Sequence, residues 1–223
     1  MKIAYLYYDF LNLYGESGNI KIISKILKEN RIKHKILYLS LNEELNFKEY
    51  DLVYIASGTE ENMLIALDYL KKYKEDIRDY ILDNKFFLAT GNSVDLFGSK
   101  IIDNNIIDAL GIFSYEVKKG TRKKEEVYIN GNIINKKILG FINNDSYISK
   151  LKYPLFDNEG IHYNNFYGTY IIGPLLVRNP EFLKYFMNKL TNKKLKYNLK
   201  IETKAYNEFI KNFEEYVWKK VLL

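Results

Sequence analysis

The stretch FFLATGNSVDLFG, Phe86 to Gly98, decides how the rest of the chain reads. An apolar run stops at Gly91 and an amphipathic segment follows, which predicts strand, sharp turn and helix. In a parallel α/β sheet such a turn lies at the carboxyl edge, where ligands and catalytic groups collect. Its apex carries no nucleophile: Gly91 has no side chain, and Asn92 and Ser93 are poor replacements for an activated thiol or hydroxyl. Two readings stand. One is an elbow built for catalysis and then emptied; the other is a plain turn in which Gly91 supplies a positive φ.

On the amino-terminal side, Lys2 to Tyr7 is a short apolar run that suits a buried strand, and Asp9 to Asn19 is a glycine-punctuated turn. Ile20, Ile23, Ile26 and Leu27 then share one helical face while Lys21, Lys25 and Lys28 take the other. His34 to Leu39 predicts a second strand, closing a βαβ unit. Asp51 to Ser57 predicts a third, ending in Ser57-Gly58-Thr59-Glu60, and helical periodicity follows through Met63, Leu64, Leu67 and Leu70 to Leu82. With Phe86 to Thr90 as the fourth strand, the alternation argues for a doubly wound, mostly parallel, flavodoxin-like sheet. Its ligand-facing ends would be the Asp9 to Asn19 turn, Ser57-Gly58 and Gly91.

On the carboxyl side the pattern shortens. From Tyr115 to Phe141 there are β-prone runs, Glu126 to Ile129 and Asn132 to Leu139, joined at Gly131, which predict an antiparallel ribbon on the sheet edge. Asn143 to Gly160 reads as polar and irregular. Asn165 to Phe182 predicts a strand, a Gly173-Pro174 break and a helix opening near Asn179-Pro180. Glu181 to Leu190 and Tyr206 to Leu223 read as helical, with Phe209, Phe213 and Trp218 on a packing face. No repeat or low-complexity linker divides the chain. The expected organisation is one domain over residues 1–190 with a helical extension over residues 191–223 packed on it.

Composition excludes several chemistries. The 223 residues contain no cysteine, which removes disulfides, thiolate zinc sites and cysteine nucleophiles. With only His34 and His162, histidine metal sites are nearly excluded too, and neither a metal nor a cofactor is expected. His34, between Lys33 and Lys35, reads as an exposed strand residue. The opening MKIAYLYYDFLN is interrupted by Asp9, and no apolar stretch is long enough to span a bilayer, so the expectation is a cytoplasmic protein without membrane insertion. A net charge of +6 permits an anionic partner. The denser basic stretches, Lys118 to Lys124 and Lys193 to Lys204, come without a nucleic-acid recognition motif and read as solvated faces.

Five stretches carry a resemblance: LNLYGESGN (Leu11 to Asn19), DLVYIASGTEE (Asp51 to Glu61), LATGNSVDLFG (Leu88 to Gly98), GFINN (Gly140 to Asn144) and EGIHYNNFYGTYIIGPLLVRNPE (Glu159 to Glu181). In order and spacing they resemble the cobyric acid synthase-type glutamine amidotransferases, nearest the branch of glutaminase subunits of bacterial lipid II isoglutaminyl synthase. In that family, the resemblance implies, a Cys at the elbow attacks the glutamine carboxamide, a later His is the base, and ammonia passes to a synthetase partner. In this branch the partner is a Mur-ligase-like subunit that uses ATP to amidate the glutamate of the lipid II stem peptide.

The family's Cys-Gly-Gly-Tyr-Gln elbow falls on Gly91-Asn92-Ser93-Val94-Asp95, and the His of its Gly-Thr-Tyr-Leu-His-Gly-Pro run falls on Ile172. Both halves of the nucleophile and base pair are missing, and removing either costs on the order of 10⁴ to 10⁶ in rate. The resemblance therefore implies a degenerate amidotransferase subunit with no catalytic residues. Its vestigial glutamine pocket would be formed by Ser57, Gly58, Gly91, Asn92, Ser93, Arg122, Asn143 and Ile172, with an oxyanion hole at Ser57-Gly58 and the backbone after Gly91. Arg122 corresponds to the family's arginine near glutamine, although a surface role fits a basic run equally well. Gly140, Phe141 and Asn143 match Gly-Phe-x-Asn-His, with Asn144 in place of the His; Glu159, Gly160, Tyr163 and Asn165 match the loop before the last strand. Takeover by Ser93 and His162 is not expected from their spacing. A different class of reading keeps the pocket for glutamine or a related small metabolite in a non-catalytic binding module, with the basic tail toward an anionic partner.

Overall fold

The computed structural model describes residues 1–149 and 151–221, with side chains described to residue 213 in the last helix. Five parallel strands form the centre: β1 (Lys2–Leu6), β2 (Lys35–Leu39), β3 (Leu52–Ile55), β4 (Phe86–Thr90) and, after two short strands and a long ribbon, β10 (Phe166–Thr169). Their order is β2-β1-β3-β4-β10, and the antiparallel β9 (Ile161–Tyr163) closes the edge beside β10. Strands β3 and β10 are buried at every position because both faces of the sheet are covered there.

The covering layers follow from the helical periodicities. One face carries α1 (Ser17–Glu29) and α5 (Pro180–Thr191), which join Ile20, Ile23, Ile26 and Leu27 to Phe182, Leu183, Phe186 and Met187 in one apolar cluster. The other carries α2 (Glu60–Lys71) and α3 (Lys74–Leu82), through Ala66, Leu67, Leu70, Ile77 and Ile81. The result is the doubly wound arrangement expected. Helix α5 opens with Pro180 in its first turn. The side-chain amide of Asn179 before it bonds both the N–H and the carbonyl of Leu139, at 2.7 Å each, tying the helix start to the long ribbon.

Four details differ from expectation. The helix foreseen from Met63 to Leu82 is two, because the backbone leaves the helix at Tyr73 to seat that ring inside, with its hydroxyl on the Leu45 N–H at 3.0 Å. His34 precedes β2 and is half-buried, with Nε2 2.8 Å from the Ser24 hydroxyl, and is not an exposed strand residue. The segment after Gly91 is a 3₁₀ turn (Gly91–Phe97) buried at every residue except Asn92, not an amphipathic helix. The ribbon is far longer than its apolar runs: β7 (Glu116–Asn130) pairs with β8 (Lys137–Ser149), which absorbs the start of the stretch read as irregular. With β5 (Lys100–Ile102) and β6 (Ile106–Asp108) it forms a second sheet, β6-β5-β7-β8, apart from the main sheet's edge.

The described residues also include the helices α4 (Leu175–Arg178) and α6 (Lys200–Val221). In α6, Phe213 packs on Tyr128 of the ribbon at 5.3 Å and Phe209 lies under the Arg178 guanidinium. Trp218 lies outside the described side chains. No helix among the described residues is long and apolar enough to cross a membrane.

The approach to β10 is tight at Gly160, whose φ is +71° and where a Cβ would stand 2.4 Å from the Gly168 carbonyl oxygen. Gly160→Ala is expected to lower unfolding stability by about 2 to 3 kcal/mol, combining the conformational and overpacking penalties. A denaturant midpoint equal to that of the parent protein would contradict this packing.

Candidate functional site

Gly91 follows the last residue of β4 and adopts φ +65°, the left-handed geometry of an elbow at a strand's carboxyl end. Two side chains fill the space a side chain at 91 would need. An ideal Cβ there would lie 2.5 Å from the Ser57 Cβ and 3.1 Å from the Ile172 Cγ2. Ser57, Gly91 and Ile172 are all buried, and the Ser57 hydroxyl has no partner among the described residues. The three positions singled out from different parts of the sequence therefore meet, and they meet in contact.

Gly58 was expected to offer its N–H to a developing oxyanion. Instead the Asn92 side chain holds it: Asn92 Oδ1 accepts from the Gly58 N–H at 3.1 Å, and Nδ2 donates to the Gly58 carbonyl at 2.9 Å. Ser93 points inward, its hydroxyl donating to the Thr90 carbonyl at 2.8 Å and the Ile55 carbonyl at 3.3 Å. His162 stands in β9, its ring stacked on Tyr167 at 4.8 Å and its pKa lowered by burial. Its Nε2 has no partner among the described residues, so Ser93 and His162 do not pair.

The cleft beside the turn has a volume of about 250 Å³ and is lined by Asn92, Asp95, Lys119, Glu60, Met63 and Asp145, among others. Arg122 closes over it from β7, ion-paired to Glu60 and to Asp145 at 3.1 Å, with Asn143 Oδ1 at 3.4 Å. Its donors are committed to the protein's own carboxylates, which is a third option beside glutamine contact and a free surface role. Asn143 in turn donates to the Tyr14 hydroxyl at 2.6 Å, clasping the loop before α1 to the ribbon.

Beneath lies a network that sequence reasoning missed. Lys119 Nζ reaches Asp95 at 3.1 Å, Asp145 at 3.0 Å and the Ser146 hydroxyl at 2.6 Å, while the Tyr170 hydroxyl donates to Asp95 at 2.7 Å. Burial favours the neutral amine, but Asp95 and Asp145 outweigh it, and the Lys119 pKa lies above its ordinary value. A second buried carboxyl, Glu16, is fully enclosed. It accepts from the Thr90 hydroxyl, the Tyr54 hydroxyl at 3.1 Å and the Gly173 N–H at 2.9 Å. Burial pushes it up to about 7, against the pull of those donors. No group of three side chains suited to a metal ion occurs among the described residues.

The fold is similar to that of solved glutamine amidotransferases. A glutamine amidotransferase from Thermotoga maritima superposes with a TM-score of 0.55 at 13% identity, covering 93% of this chain and 92% of that one. Another glutamine amidotransferase superposes at 0.57 and 12% identity over 85% and 98%. In sequence the likeness is narrower. The chain is 28% identical over 201 residues to the lipid II isoglutaminyl synthase (glutamine-hydrolyzing) subunit GatD of Staphylococcus aureus, covering 83% of this chain and 82% of the relative. With GatD of Streptococcus pneumoniae it shares 27% over 228 residues, covering 94% and 87%. No family model matches the chain.

Two outcomes follow from this geometry. Gly91→Cys with Ile172→His is expected to give a protein less stable than the parent and inert to a thiol-directed glutamine analogue, because Ser57 occupies the space. Adding Ser57→Gly should return part of the thermal stability, and a double variant that is both stable and labelled would refute the steric account. Glu16 contributes stability that is complete below its unfolded value near 4.5, is lost as pH rises toward about 7, and changes no further above that. The total is about 3 kcal/mol at 1.36 kcal/mol per unit. The unfolding free energy of Glu16→Gln should therefore fall less between pH 5 and pH 8 than that of the parent, by about 2 to 3 kcal/mol.

Proposed function

We propose that the chain is a glutamine amidotransferase-like subunit in lipid II amidation that does not itself hydrolyse glutamine. The observation that carries this reading is the elbow: Gly91 holds the positive φ of a nucleophile position, yet Ser57 and Ile172 fill the space beside it and the chain has no cysteine. The GatD likeness over most of the chain supports the subunit role, and its synthetase partner would be Mur-ligase-like. A cytoplasmic location belongs to the same reading, as does a unit of residues 1–190 extended by residues 191–223.

What the site retains fits that role better than hydrolysis. Thiolate attack needs a nucleophile, a base and a free oxyanion donor; here the first two are missing and Asn92 engages the third. Arg122, Asn143 and Tyr14 instead bind the ribbon to the α1 loop and α2. The mouth of the cleft is strapped by contacts within the chain, which supports meeting a partner over admitting a substrate.

Glutamate release from glutamine at high protein concentration is expected to stay at the uncatalysed rate, and turnover clearly above it would end the non-hydrolytic reading. Co-expression with a Mur-ligase-like protein of the same genome should give co-purification and a raised thermal midpoint. Separate elution at micromolar concentration with no mutual stabilisation would remove the subunit role.

A further inference from the structure

The net charge of the protein is concentrated in two short segments that the fold brings together. Residues 21–35 and 193–200 hold ten lysines and arginines and a single acid, Glu29. The whole chain has 34 basic and 28 acidic residues, so everything outside these segments is net negative. The segments are stitched side by side. The Lys196 N–H donates to Asn30 Oδ1 at 2.8 Å, Asn30 Nδ2 returns a bond to the Lys196 carbonyl at 2.8 Å, and Lys25 pairs with Glu202 at 3.0 Å.

Folding gathers three of these lysines on one face. The apolar stripe of α1 is spent on the sheet, which leaves Lys21, Lys25 and Lys28 at helical spacing on the outside. They flank a shallow hollow with Ile36 and the exposed Tyr38 of β2, an edge strand of the sheet. Lys33, Lys196 and Lys200 in the adjoining segments are exposed too, whereas Lys35 alternates with Ile36 along β2 and lies on the other side of the sheet. None of these residues lines the elbow cleft.

We propose that this face docks the protein on an anionic lipid surface. The hollow is shallow, and the rest of the chain is net negative, so a planar anionic surface is attracted to this face more than to the remainder of the molecule. Lysine stems and Tyr38 offer an apolar lower layer under the charges, the arrangement that sits at a lipid–water boundary. The lipid II reading is used only to choose lipid over other polyanions. A docked subunit would hold its elbow side free while sitting where a lipid-linked precursor is made accessible.

The test is sedimentation of the intact protein with vesicles of phosphatidylglycerol and phosphatidylcholine, and with phosphatidylcholine alone. Binding is expected to the first only and to vanish near about 1 M salt, where screening acts within about 3 Å. Lys21→Glu with Lys33→Glu and Lys196→Glu should weaken partitioning by at least about tenfold. Lys48→Glu with Lys100→Glu and Lys118→Glu, an equal change in net charge elsewhere, should weaken it far less. No binding by the parent protein, equal loss in the two triple variants, or face-dependent binding to a single-stranded RNA without vesicle binding would each overturn the proposal. A protein that co-purifies with its ligase yet ignores vesicles loses this inference and keeps the subunit role; one that binds vesicles without a ligase does the reverse.

Discussion

The Glu16 carboxyl, enclosed and surrounded by donors, holds the centre of the molecule in register. It receives the hydroxyl of Thr90, the last residue before the Gly91 turn, and the N–H of Gly173, the first residue after Ile172. Tyr54 of β3 donates to Oε2, the oxygen that Thr90 also reaches, while Gly173 holds Oε1; Tyr54 takes a further bond from Asn19 at 2.9 Å. Asn19 in its turn receives the Leu176 N–H at 2.8 Å. One side chain thus fixes the ends of two sheet strands and the entry to two helices, and a buried carboxyl is costly to leave partly satisfied. The positions of Gly91 and Ile172 relative to each other are set by this anchor together with the backbone pairing of Ile172 to Phe141.

The main sheet was legible because its information is local. Short runs such as Leu52 to Ile55 are apolar throughout, and α1 shows a clean stripe; each can be read within a dozen residues. The ribbon was legible only at its ends. Between Lys118 and Glu126 β7 carries almost no apolar residue, since its pairing to β8 on either side of an irregularity at 120–122 and the half-buried Lys119 hold it in place of a packed face. Tyr73 broke a helix for a packing reason that helical periodicity does not record.

For the site, the sequence marked positions but not what they touch. Ser57, Gly91 and Ile172 lie far apart in the chain and nothing local says that their side chains contend for one volume. The Asn92 amide on Gly58 is a contact across 34 residues, and Glu16 to Gly173 spans 157. An acidic residue in a turn looks like any solvated loop residue until burial is known. The useful signal in hindsight is chemical: a Glu in a glycine-bounded turn beside buried Tyr54 and Thr90 has donors waiting for it.

The packing of Ser57 against Gly91 makes the turn a one-way construction. A cysteine arriving at position 91 meets the Ser57 Cβ before it meets any substrate, and a glycine arriving first at position 57 opens a hole without filling it. Each single step is worse than either end state, so two arrangements of the same elbow are separated by a valley that no lone substitution crosses. A scaffold closed in this way is free to change its surfaces while its interior stays put.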